Sequence, residues 1–432
     1  MSDKNVVTTT SAPETNGTPL PPADEPLLDR SDVRVRHDEG AGGAVRAFIT
    51  RIRSGELGAL PVVVGLAIIW TAFQTLNPVF LSSNNLVNLL FDSSTVGVIS
   101  LGIVCILMVG EIDLSVGSVS GFASALVGVF WVNHGWPAPL AIAAALVAGG
   151  IIGGIYAFLF NKFGMPSFIA TLAGLLAVLG LQLYLLGQGG SINLPYGSAV
   201  VNFGQLDFMP RPVAYAIPVL AGLAIFFGGS STAARRKAAG LSSSGINGIV
   251  FKAVVLIVAL EAVVYYLDRD RGVPWMFGLF LALVIGSNYL LTRTQWGRAM
   301  TAVGGNREAA RRAGINVKLV YTSAFVLCSG FAALGGFLSS ARLASASQQA
   351  GTGDVNLDAI AAAVIGGTSL FGGRGSAYSA LLGIIVIQSI SNGLTLLDLS
   401  SSLRYMITGG VLAVAVIVDA LARRSRASHG RA

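Results

Sequence analysis

Apolar segments long enough to cross a bilayer recur along nearly the whole chain, and the charged positions fall between them. The clearest stretch runs from Leu114 to Asn161, 48 residues without an Asp, Glu, Lys or Arg. One crossing takes about 20 apolar helical residues, so this stretch predicts two helices. His134-Gly135-Trp136-Pro137-Ala138-Pro139 supplies the turn between them, with Pro/Gly punctuation and an interfacial Trp. The same pattern places spans near 57–76, 86–110, 116–133, 139–160, 166–186, 212–229, 248–267, 274–292, 319–341, 357–372, 376–396 and 403–421, about twelve in all. The expected fold class is all-α: a polytopic integral membrane protein with a transmembrane domain over 57–425. Polar tails at 1–56, read as disordered, and at 426–432 flank it. No short apolar core followed by a cleavage site precedes the first span, which therefore reads as uncleaved.

Two spans are expected to be interrupted. Val96–Val109 ends at Gly110-Glu111-Ile112-Asp113-Leu114-Ser115-Val116-Gly117-Ser118, and Ala359–Ile365 ends at Gly366-Gly367-Thr368-Ser369 and a further Gly-rich run. Each break leads into a helix of small residues. At an offset of 255, Ser124-Ala125-Leu126 and Gly128 align with Ser379-Ala380-Leu381 and Gly383, and Gly117 with Gly372. That spacing suggests an internal duplication as in many transporters, and chance in a Gly/Ala/Leu-rich chain is the competing explanation.

Composition agrees: 11% of residues are charged, 54 are Gly, and the mean hydropathy is +0.71. Cys105 and Cys328 lie in apolar spans and imply neither disulfide nor metal site. His37, His134 and His429 sit in a tail, a turn and a tail, without metal-ligand spacing. The net charge of +7 reports orientation rather than nucleic-acid binding. Basic residues cluster in the N-terminal tail, at Arg235-Arg236-Lys237, between Arg293 and Lys318, and at Arg423, Arg424 and Arg426. Twelve crossings put all four clusters, and both termini, on the cytoplasmic side. Asp268-Arg269-Asp270-Arg271 is then outside.

The candidate chemistry is polar but not catalytic. No phosphate-binding loop, zinc-protease motif, nucleophile elbow or dinucleotide fingerprint occurs, so no covalent chemistry and no cofactor are expected. ATP, if used, must be hydrolysed by another polypeptide. A carboxylate at mid-membrane costs roughly 2.5–3.5 kcal/mol and calls for partners. Asp113 reads either as a helix cap for the amides of Ser115 or Val116, or, with Ser115, Gly117 and Ser118, as part of a polar path or gate. Thr171, Thr368, Ser369 and Asn392 are further candidates for that path, and each could equally bond a neighbouring helix. Between Arg293 and Lys318, Asn306 as N-cap and Gly314 as C′ glycine frame a short helix containing Arg307, Glu308, Ala309, Ala310, Arg311, Arg312 and Ala313. Glu308 and Arg312 stand four apart, and the three alanines give a small-residue face that another protein could approach. A docking helix is favoured over a loop that only sets topology. Gly149, Gly150, Gly153 and Gly154 form two overlapping small-xxx-small spacings suited to helix packing within the chain or across a dimer.

Three segments carry a family resemblance: Glu111-Ile112-Asp113-Leu114-Ser115-Val116-Gly117-Ser118, the Gly304–Asn316 loop, and Leu357-Asp358-Ala359-Ile360-Ala361-Ala362 continuing to Gly366-Gly367-Thr368-Ser369-Leu370. In this order they resemble the permease subunit of bacterial monosaccharide ABC importers, over roughly 57–425. Glu111, and the additional spans across about 212–292, resemble the xylose-type members. The resemblance implies a homodimer in the bacterial inner membrane, a cytoplasmic ABC ATPase, an extracytoplasmic sugar-binding protein, and a coupling role for Asn306–Asn316. A permease for another sugar, a nucleoside or a branched-chain amino acid remains open, as does an ion-coupled secondary transporter. The latter needs paired intramembrane charges, of which these spans show few.

Overall fold

The computed structural model describes residues 60–410, apart from 240, 242–244, 401 and 404, together with 413 and 417. Both expected tails lie outside them. In chain order the elements are α1 (Leu60–Leu76), α2 (Ser83–Met108), α3 (Val116–Gly128, continued by a π-helical turn at Val129–Asn133), α4 (Ala138–Phe163), α5 (Ser167–Leu186), β1 (Ser191–Asn193), α6 (Ala199–Gln205), α7 (Arg211–Ala238) and α8 (Ile246–Leu267). There follow α9 (Trp275–Arg293), α10 (Gln295–Gly305), α11 (Arg307–Arg312), α12 (Val317–Leu343), β2 (Ser345–Ser347), α13 (Val355–Ile365) and α14 (Ala377–Leu396). Among the described residues nine helices are long and apolar enough to cross a membrane; α1 and α13 are shorter apolar helices. Each expected span up to 396 meets a helix. The one at 357–372 stops early, at Ile365, where the Gly366-Gly367 break begins. The last, at 403–421, falls largely outside the described residues, although 405–410 are helical.

Residues 219–258, the facing portions of α7 and α8, form a compact unit of their own. Within it Gly229 lets α7 approach Ile249, whose Cγ2 would stand 2.8 Å from an added Cβ. The other unit holds the described residues of 60–218 and 259–410. Its core is α2, buried almost continuously from Phe91 to Val109 and enclosed by α12, α14, α9 and α13. Without water between helices, close packing rather than hydrophobic transfer holds such a bundle together. The glycine pairs of α4 show how. Gly149 faces Ala333 (2.6 Å from an added Cβ) and the Ser329 carbonyl (2.8 Å), and Gly153 faces the Phe325 carbonyl and Val326 Cα (2.8 Å). Gly150 and Gly154 have room beside α12: an added Cβ would meet only Val326 Cγ1, at 3.9 Å, from Gly150 and nothing within 4 Å from Gly154. Of the two overlapping spacings, one is filled within the chain and one is open.

One end of this unit gathers the termini of α2, α4, α9, α13 and the starts of α5, α12 and α14 around α10 and α11. The opposite end joins Asn77 to Leu396 (Nδ2 to O, 2.9 Å) and Ser83 to Leu267 (3.1 Å). From that opposite end the chain after α12 turns back through Ala344 (φ 51°), and β2 pairs antiparallel with β1. Residues 348–354 then run inward along α3 as non-helical backbone. This needs two things: small residues to pass and donors for the freed carbonyls. Gly117 and Gly121 supply the first, each packing directly on the backbone of Gly351 and Ala350. Buried Gln182 supplies the second, donating from Nε2 to the carbonyls of Ser347 (3.0 Å) and Ala350 (2.9 Å).

Candidate functional site

The expected caps frame α11. Asn306 Oδ1 accepts from the Ala309 amide (2.9 Å), and Gly314 ends the helix at φ 82°. Two details differ from expectation. Glu308 pairs with Arg311 (2.7 Å), not Arg312, because in a helix of six residues the i, i+3 partner lies on the same exposed edge. Ala310 turns inward and is 4% exposed, so Ala309 and Ala313 alone carry the open small-residue face. Before α11 stands a further helix where the sequence predicts only loop. α10, capped by Thr294 (Gly297 N to Oγ1, 3.2 Å), buries Gly297, Met300 and Val303 on one side, and Trp296 donates to Ser323 Oγ (2.8 Å).

Arg307, the first residue of α11, fixes that helix to the bundle. Its guanidinium lies over Tyr321 of α12 (5.5 Å) and Phe160 of α4 (6.0 Å), an arrangement worth about 0.5–2 kcal/mol per ring. It also faces Glu111 in the break after α2. Burial pushes the Glu111 carboxyl above its ordinary range, against the opposing pull of a Ser167 hydrogen bond and the Arg307 charge.

Beside Arg307 three chain segments meet on glycine. Gly304 at the end of α10 packs on the Met108 carbonyl, with Gly373 N 2.6 Å from the position a Cβ would take. Gly372 (φ 80°) likewise faces the Gly304 carbonyl (2.7 Å) and Gly110 Cα (2.9 Å). A hydrogen bond from Gly373 N to the Met108 carbonyl (2.9 Å) closes the group. At these glycines the loop bearing α11 touches both interrupted spans backbone to backbone, where a displacement passes on without side chains to absorb it.

The first break also holds most of the polar candidates. Asp113, fully buried, accepts at Oδ1 from the Ser115 amide (2.8 Å) and hydroxyl (2.7 Å); the N-cap of α3 is Ser115 itself, two residues on, so Asp113 holds the turn before the helix rather than capping it. Among the described residues its Oδ2 has no hydrogen-bond partner, and the Tyr156 phenol and Cys328 thiol are its buried neighbours. Thr171 Oγ1 accepts the Leu114 amide (3.1 Å), and Ser118 Oγ donates to the Ser115 carbonyl (2.9 Å). The Gly117 amide donates to Asn356 Oδ1. In the second break, Ser369 Oγ accepts the Phe371 amide (3.2 Å), and buried Thr368 Oγ1 is without a partner among the described residues. Asn392 does not join this group. It exchanges hydrogen bonds with Asn85 (2.7 and 2.9 Å) near the other end of α14, about 22 Å further along the helix than Ala377. The aligned pair Gly117 and Gly372 occupies unlike positions, one helical and one in a left-handed loop, so the offset match does not extend through both breaks.

One charged pair escaped the sequence reading. Arg342, in the last turn of α12, bonds Asp92 of α2 from Nε (2.9 Å) and stacks over Phe91 at 4.8 Å. Asn88 Oδ1 accepts from both Arg342 (3.3 Å) and Arg271 (3.2 Å). Asp92 was the available signal: a lone carboxylate ten residues into an otherwise uncharged helix.

Comparison with known proteins agrees with this architecture. A family model described as "Branched-chain amino acid transport system / permease component" matches residues 85–416, a range containing both breaks and α11. The chain belongs to this permease family. It is 35% identical over 375 residues to the xylose transport system permease protein XylH of Escherichia coli, covering 86% of this chain and 94% of that one. It is also 32% identical over 361 residues to the ribose import permease protein RbsC of Escherichia coli (83% and 92%), and 31% over 385 to the probable ABC transporter permease protein YphD (89% and 94%). No solved structure matches it significantly. The resemblance carried by the three motifs is thus established at the level of the family. The relatives of this permease are transport components rather than catalysts.

Proposed function

We propose that this permease is the membrane-spanning subunit of an ATP-driven monosaccharide importer, with D-xylose as substrate. A separate cytoplasmic ABC ATPase docks on α11, a sugar-binding protein delivers substrate on the opposite, extracytoplasmic face, and two copies of the chain form the pathway. The observation that carries the reading is the junction of Arg307, Gly304 and Gly373. It ties an exposed, capped, small-faced helix to both interrupted spans, as a subunit moved by an external ATPase requires. The identity with a xylose permease across most of both chains supports the substrate. The 32% identity with a ribose permease makes ribose the second reading.

In this account the α11 face, with both termini and Arg236, is cytoplasmic in a bacterial inner membrane. Asp113, Ser115, Gly117, Ser118, Thr171, Thr368 and Ser369 form the inner gate region, in which most hydroxyls hold the broken backbone in place. Asp113 Oδ2 and Thr368 Oγ1, both buried and without a hydrogen-bond partner among the described residues, are the acceptor and donor that opening of this gate would offer a sugar hydroxyl. Asp92 and Arg342 join α2 to α12 toward the opposite, extracytoplasmic end. Cells lacking other xylose and ribose uptake, supplied with this chain, its ATPase and its binding protein, should take up labelled D-xylose. Unlabelled ribose should compete poorly. Preferential uptake of ribose would move the assignment to the second reading.

A further inference from the structure

At the end of the bundle that carries α11, α4 and α12 leave a surface cavity of about 390 Å³, lined by Gly154, Phe158, Asn161, Lys162, Lys318 and Thr322 among others. Its floor is fixed. Asn161 Nδ2 donates to the Lys318 carbonyl (3.2 Å) and to Thr322 Oγ1 (3.1 Å), so α4 and α12 are tied together at the cavity that both lysines line. Lys162 comes from the last turn of α4 and Lys318 from the first turn of α12. Both are exposed, and among the described residues no carboxylate lies within ion-pair distance of either.

An open apolar strip of α4 leads away from this charged end. An added Cβ on Gly154 would meet nothing within 4 Å, and on Gly150 only Val326 Cγ1 at 3.9 Å, which leaves a shallow groove. Ile151, Ile155 and Phe158 are exposed along the same helix. From Lys162 back to Gly150 is about 18 Å of helix, close to the ~15 Å hydrocarbon depth of one leaflet. Two unpaired cations over a glycine groove of acyl-chain length match one class of occupant. A second copy of the chain seated here would have to bring carboxylates to both lysines, whereas an anionic headgroup brings its charge with it.

We propose that this cavity binds an anionic phospholipid, its phosphate between Lys162 and Lys318 and one acyl chain laid over Gly154 and Gly150. The lipid braces α4 against α12 directly beside the rings on which Arg307 rests. The site depends neither on the sugar nor on which face of the membrane is cytoplasmic.

The test is native mass spectrometry of the purified full chain, titrated with dioleoylphosphatidylglycerol or dioleoylphosphatidylcholine. The wild type should retain one phosphatidylglycerol at concentrations where phosphatidylcholine is stripped. Lys162→Gln with Lys318→Gln should weaken that retention by about tenfold or more and leave phosphatidylcholine unchanged. Gly154→Leu, which fills the groove and keeps both charges, should lower it as well. Equal retention by the wild type and both variants would overturn the proposal. So would efficient disulfide formation between copies carrying Ile155→Cys in native membranes, which would place a second chain on the groove.

Discussion

Replacing Gly304 with Ala adds one methyl group at the point where the α10–α11 loop meets both interrupted spans. The new Cβ would sit on the Met108 carbonyl, 2.6 Å from Gly373 N and 2.9 Å from Met108 C. All three are backbone atoms, so no rotamer change relieves the overlap and the loop itself must move. Overpacking of this kind costs typically 1–3 kcal/mol. If that energy falls on the arrangement linking α11 to the spans, uptake drops by roughly 5- to 150-fold at 1.4 kcal/mol per decade. Gly305 is the control, because an added Cβ there meets nothing within 4 Å. Gly304→Ala should accumulate in membranes and still retain the ATPase through the intact α11 surface, yet transport poorly. Gly305→Ala should behave as wild type. Radiolabelled sugar uptake and co-purification of the ATPase, measured on both variants, decide the matter. Equal uptake by the two would refute the idea that this junction transmits movement.

Three further outcomes are expected. Glu308→Lys breaks the pair with Arg311 and puts a cation at the α11 N-terminus; helix terms of roughly 0.3–1 kcal/mol cannot unfold the protein, so accumulation should be normal while ATPase co-purification is lost. Arg342→Asp and Asp92→Arg should each lower uptake and the detergent melting temperature, and the double exchange should restore part of both; an exchange no better than either single variant would deny the pair a joint role. Gln182→Leu leaves the Ser347 and Ala350 carbonyls without their buried donor, at about 1–3 kcal/mol each, and should reduce accumulation measured by quantitative blotting even though the residue lies far from α11.

The spans were legible because uncharged runs of bilayer length admit one reading, and the breaks because Gly-Glu-Ile-Asp and Gly-Gly-Thr-Ser interrupt such runs. The caps of α11 were legible because Asn306 and Gly314 act locally. What stayed hidden was non-local. Asp92 and Arg342 are 250 positions apart, and neither names the other. The inward run of 348–354 reads as a polar loop until Gln182 and the glycines of α3 are known to receive it. α10 was missed because Arg298 and two terminal glycines dilute its short apolar side. Of the polar candidates, those near Asp113 and Thr368 were gathered by the meeting of the two breaks. Asn392 was separated from them by the length of α14.

On the proposed function, this permease moves a sugar only when an external ATPase acts on α11. This is tested most directly in proteoliposomes containing the purified chain, the matching ATPase inside and the sugar-binding protein outside. Uptake of labelled D-xylose should require ATP and both partners, and should vanish when Glu308→Lys replaces the wild-type chain. Concentrative uptake by the chain alone under a proton or sodium gradient would contradict the account.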